Sequence, residues 1–112
     1  MNISNYYSEN ADGIQFSRQQ ASDFAKQVAD DFNPIHDPDS KRFCVPGDLL
    51  FAVVLSRYGL SEKMHFNFSG LVSDGVPLLF PESDANKIAI SDRQGKEYLN
   101  FERSGAVSNA TS

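Results

Sequence analysis

The chain has 112 residues, a net charge of −5 and 40% hydrophobic residues, with nine Phe among them. That length suits one domain with one core and leaves no room for a second, and the composition excludes an intrinsically disordered chain. The acidic residues are scattered and no basic stripe is present, which argues against nucleic acid and anionic membrane surfaces as partners.

In chain order, Met1-Asn2-Ile3-Ser4-Asn5 has neither a basic start nor an apolar run. No secretory signal is expected there, and the cytoplasm is the expected compartment. Asp12-Gly13 is a tight-turn pair between Tyr6-Tyr7 and Ile14 with Phe16, which predicts a first strand after a polar lead-in. Ser17 to Gln20 reads as a capping box. Ala21, Phe24, Ala25, Val28 and Phe32 then follow the spacing of one helical face, with Asp23, Lys26, Gln27 and Asp30 on the other. Pro34 disfavours helical geometry at Asn33, so this helix is expected to stop near Asp31 or Phe32. Pro34 to Asp39 is expected to be an ordered turn.

A second helix is predicted to open at Pro46-Gly47-Asp48, where proline is tolerated and an acid is favoured. Its body, Leu49 to Leu55, is apolar all round, so the helix is expected to be enclosed by other structure. That run is far too short to span a bilayer. Gly59 is the expected C-cap. From Lys63 the period becomes two, with Met64, Phe66 and Phe68 alternating with His65, Asn67 and Ser69. Asp74-Gly75 turns into a strand over Val76 to Phe80, where Pro77 suggests an edge. Lys87 to Ser91 and Glu97 to Phe101 predict a hairpin around residues 92–96. Ser104 to Ser112 is small and polar and is expected to be a flexible tail, leaving residues 1–103 as the domain. The sum is an α+β fold: an antiparallel β-sheet wrapped around a buried central helix.

The chemistry concentrates in Asp31-Phe32-Asn33-Pro34-Ile35-His36. A turn fixed by proline brings a carboxylate and an imidazole to the same side, and such a pair positions a water and moves its proton. The spacing alone equally describes a solvated helix end, and Asn33 and Asp37 also close turns with their own side chains. Two histidines and one cysteine are too few for a zinc site, so no metal is expected. Cys44 admits no intrachain disulfide and reads either as a small core residue or as a thiol activated by a helix N-terminus. His65 lies on the polar face of its strand and reads as a surface or interface residue.

The block Asp31 to His36, preceded by Phe24-Ala25 and followed by Asp37-Pro38, resembles the hydratase signature of MaoC-like hot-dog proteins. Pro46-Gly47-Asp48-Leu49-Leu50 is similar to the start of that family's central helix, and the element order is shared from Tyr7 to Phe80. The likeness is greatest to a bacterial branch whose activity it does not supply. The resemblance implies a hot-dog fold, a homodimer, no cofactor, and hydration of a trans-2-enoyl thioester carried on coenzyme A or acyl carrier protein. It gives Asp31 and His36 the catalytic roles, Gly47 the N–H that receives the thioester oxygen, and Asn33 the turn beside the substrate. Lys41 and Arg42 are candidates for the carrier's phosphates. Three features depart from the pattern. Pro46 stands where the family has His, Asp48 sets a negative charge at the helix start, and the link from His36 to Gly47 is short. Pro46 and Asp48 favour an alternative, a module that binds an acyl thioester or a similar ligand without turning it over; a structural dimer is a third reading.

Overall fold

A computed structural model describes residues 2–108, with side chains as far as Gly105. A 3-10 turn at Ile3–Tyr6 precedes the hairpin of β1 (Ser8–Asn10) and β2 (Gly13–Gln15). Then come α1 (Arg18–Gln27), a second 3-10 turn (Pro34–His36), α2 (Gly47–Tyr58), β3 (Leu60–Phe68), β4 (Leu78–Leu79), β5 (Lys87–Asp92) and β6 (Glu97–Ser108). The strands form one six-stranded sheet in the order β1-β2-β4-β5-β6-β3, and every pairing is antiparallel. The α+β class expected from the pattern is the class observed.

Local chemistry explains most of the elements. Ser17 Oγ accepts from the Gln20 N–H at 3.0 Å while Gln20 Oε1 accepts from the Ser17 N–H at 3.0 Å, so the capping box forms. The β5–β6 turn closes on Asp92, whose carboxylate accepts from the backbone of Gln94 at 2.9 Å and Lys96 at 3.0 Å. At Gly13 a Cβ would meet the Leu78 carbonyl oxygen at 2.5 Å, so only glycine lets β2 approach β4.

Three expectations are corrected. First, α1 ends at Gln27, four residues or more before the expected stop. Asp30 adopts φ +53°, a left-handed conformation that Asp tolerates, and this turns the chain before proline acts. The Asp31 N–H folds back to the Ala25 carbonyl at 2.7 Å. Phe32 is therefore off the helix and 64% exposed rather than part of its buried face. Second, α2 is not fully enclosed by the described residues. Leu49, Leu50, Val53 and Val54 are buried, but Phe51 is 37% exposed. Third, the chain from Ser104 continues as strand: β6 pairs Ser104 with Lys63, Val107 with Ser61 and Ser108 with Leu60. An extra β6 residue bulges between these pairs, with Gly105 at φ +87°. The rest of the expected tail, residues 109–112, lies outside the described residues.

The core lies between α2, α1 and one face of the sheet, with Phe16, Ile14, Leu78, Ile90, Leu99 and Phe101 among its most buried members. Aromatic contacts tie α2 to the strands, Phe51 to Phe66 at 4.8 Å and Tyr58 to Phe101 at 5.2 Å between centroids. Although β3 precedes β4 in sequence, it lies at the sheet edge beside β6. The link between them is pinned by Val45 N–H to Val72 O (2.8 Å) and Gly75 N–H to Phe16 O (2.9 Å). Among the described residues no helix is long and apolar enough to cross a membrane.

Candidate acid–base site between the helices

The segment from Asp30 to Cys44 is built by short-range polar side chains. Asp31 Oδ1 accepts from the Asn33 N–H at 3.0 Å, and Asn33 Oδ1 accepts from the Ile35 N–H at 3.1 Å. These consecutive Asx turns lead into the 3-10 turn, where Pro34 supplies a preset φ and the His36 N–H reaches the Asn33 carbonyl at 3.0 Å. Arg18 braces the segment from α1, donating to the carbonyls of Pro38 (3.0 Å) and Ser40 (2.8 Å) while pairing with Asp74 at 3.1 Å. Lys26 pairs with Asp37 at 3.1 Å.

The outcome is that the His36 ring points inward and is only 9% exposed. Its Nδ1 lies 2.8 Å from the Cys44 carbonyl oxygen. A carbonyl only accepts, so Nδ1 carries the hydrogen. Nε2 is thereby turned to Asp31, whose Oδ2 lies 3.3 Å away. That contact is a hydrogen bond only when a second proton lies between Nε2 and Oδ2. Asp31 is half-exposed, so the carboxylate is the pair's solvent side.

Of the four residues singled out by sequence, the fold brings Asp31 and His36 into contact. Asn33 is exposed, with its side-chain oxygen committed to Ile35, and fixes the turn. Gly47 is exposed as the first residue of α2, three residues beyond Cys44; among the described residues no hydrogen bond links it to the pair. The Phe68 ring lies 3.8 Å from where a Gly47 Cβ would stand. Lys41 and Arg42 line a shallow depression of about 490 Å³ on the outer side of the 3-10 turn, beside Pro34 and Ile35. Cys44 Sγ is 4.0 Å from His36 Nδ1, but burial, and then the Asp31 charge, push its thiol up from the ordinary range. That disfavours the thiolate and leaves Cys44 as a core residue. Among the described residues no cluster of His, Cys, Asp or Glu is grouped to hold a metal.

Sequence reasoning did not find the backbone carbonyl of Cys44 as the group that sets the His36 tautomer. No residue type signals a carbonyl partner, so only the fold reveals it.

Residues 1–112 match the model of a family described as "Protein of unknown function (DUF3581)", and the chain belongs to that family. No curated protein and no solved structure matches the chain.

Proposed function

We propose that the chain is a hot-dog-fold protein of the MaoC-like kind that adds water to a trans-2-enoyl thioester carried on coenzyme A or acyl carrier protein. The single observation that carries this reading is the 3.3 Å contact between Asp31 and a tautomer-fixed His36 on the link leading to the N-terminus of α2. The six-stranded antiparallel sheet with α2 packed on it supports the fold assignment.

In this reading a water binds at the half-exposed Asp31 carboxylate. One of its protons passes to the pair as its oxygen bonds to Cβ. Electron density moves through Cα to the thioester oxygen, and the pair returns one proton to Cα, so one water is added with no change in charge. The N–H of Gly47 at the positive end of α2 receives the enolate oxygen. A homodimer accompanies the reading. The free edge of β3, with Phe68 51% and Phe51 37% exposed beside it, offers the surface that a second copy covers.

A purified sample that hydrates crotonyl-coenzyme A, and loses that activity with Asp31→Asn and with His36→Ala, meets the expectation; absence of turnover in the wild type ends it. One observation favours the non-catalytic alternative. Both ring nitrogens of His36 are engaged inside the chain, which leaves water only the carboxylate side of the pair. For a binding module, acyl-coenzyme A raises the melting temperature without being converted.

A further inference from the structure

The hydrogen of a neutral His36 ring has two rival acceptors, the Cys44 carbonyl at Nδ1 (2.8 Å) and the Asp31 carboxylate at Nε2 (3.3 Å). A carboxylate is the stronger acceptor, so on chemistry alone that hydrogen goes to Nε2. The carbonyl keeps it on Nδ1 only while the chain holds the carbonyl in place.

The carbonyl of Cys44 and the N–H of Val45 belong to one planar trans peptide, so they point in opposite directions. The Val45 N–H donates to the Val72 carbonyl at 2.8 Å, which aims the Cys44 oxygen at His36. The Val72 carbonyl, this peptide and the His36 ring thus form one chain of hydrogen bonds, each polarising the next.

Both flanks of that peptide converge on Arg18. On the first, Arg18 Nη1 donates to the carbonyls of Pro38 (3.0 Å) and Ser40 (2.8 Å). Its guanidinium also lies over the ring of buried Phe43, the residue before Cys44, 5.0 Å from the centroid. On the second, Arg18 Nε donates to Asp74 at 3.1 Å, two residues after Val72. The Gly75 N–H to Phe16 carbonyl bond (2.9 Å) draws this link alongside the start of α1. A planar fork holds several acceptors in fixed directions at once, which a lysine ammonium does not.

We propose that Arg18, anchored by Asp74, is a positioning residue for His36: it fixes the Cys44–Val45 peptide from both flanks and so selects the Nδ1–H tautomer. The proposal rests on the acid–base reading of the Asp31–His36 pair for its catalytic meaning. The tautomer itself is a property of the ring, whether or not a substrate is turned over.

The test is the pair of ring nitrogen-15 shifts of His36 in the full chain, read above the pH at which the same signals show the ring to be neutral. His65, exposed on β3, is the internal comparison. The wild type is expected to carry its hydrogen on Nδ1. Arg18→Met keeps an unbranched side chain over Phe43 but donates nothing. Asp74→Ala leaves the guanidinium and both carbonyl bonds of the 38–40 loop, and frees only the link. Each is expected to lower the ratio of the Nδ1–H to the Nε2–H form about fivefold, the worth of one neutral hydrogen bond, with the His65 signals in place. Arg18→Lys is expected to fall between the wild type and Arg18→Met. If Arg18→Met does not fold, Asp74→Ala decides. A wild type with its hydrogen on Nε2, an unchanged ratio in Asp74→Ala or in folded Arg18→Met, or an equal movement of His65 would each overturn the proposal. Absence of crotonyl-coenzyme A turnover ends the hydratase reading alone and leaves this one to the ring shifts.

Discussion

The Nδ1–H of His36 donates to the carbonyl oxygen of Cys44 at 2.8 Å, which turns Nε2 toward the Asp31 carboxylate. The ring is buried, so the same bond both orients the imidazole and satisfies a carbonyl in the link before α2. Structure and chemistry are thus separable by substitution. His36→Ala leaves the Cys44 carbonyl without its partner and opens a void, and is expected to cost about 1–3 kcal/mol. Asp31→Asn keeps an oxygen for the Asn33 N–H and offers Nε2 an N–H donor, so its cost is expected to stay below about 1 kcal/mol. Urea unfolding of both variants measures the difference, and nitrogen-15 shifts of the ring should report the Nδ1–H tautomer in Asp31→Asn.

Asp30 holds a left-handed conformation without being glycine. Asp30→Ala, whose methyl crowds the backbone without a short polar group in compensation, is expected to cost about 1 kcal/mol, while Asp30→Asn is expected to be neutral. Denaturation midpoints at constant m-value provide the comparison.

Arg18 fastens the 38–40 loop to α1 through two carbonyls and to Asp74 through an ion pair. Arg18→Ala is expected to lower stability by about 1–2 kcal/mol, with hydrogen exchange accelerated first over residues 37–44.

Tyr58 donates its hydroxyl to the Pro81 carbonyl at 2.6 Å, and burial pushes its pKa up to about 12, with the Glu82 charge adding to the rise and Arg57 and Arg103 opposing it. A phenol freed by unfolding titrates near 10. The native state therefore holds this proton more tightly, so the group's stabilisation is complete below about pH 10 and falls away as pH rises towards 12. Tyrosinate absorbance should show a late-titrating component that Tyr58→Phe removes, and the variant's stability should decline less across the same interval.

Much of this architecture is legible in the sequence where the determining interactions are local. Ser17 and Gln20 announce the start of α1, the Asp92–Lys96 turn announces a hairpin, and alternation marks β3. The contact of Asp31 with His36 was legible for the same reason, since proline and asparagine fix the turn between them. Reasoning failed where geometry is set by an uncommon conformation or a distant partner. The end of α1 depends on a non-glycine left-handed residue, which no residue type advertises. The segment after Arg103 looks like a tail until the edge of β3 is known to be waiting for it. Tyr58, Arg103 and residues 80–86 meet only in three dimensions, so the cavity that they line at the C-terminal end of α2 has no sequence motif.

The place of β3 in the sheet has a consequence for biogenesis. Among the described residues its one partner is β6, which begins at Glu97, so on the ribosome β3 emerges well before that strand can zip against it. Until then Phe66 and Phe68 have no neighbouring strand, and the nascent chain carries an adhesive ribbon exposed to other polypeptides. Maturation of the whole fold is thus a late event, triggered by synthesis of β6, and truncations that remove this strand should yield insoluble material rather than a smaller folded unit.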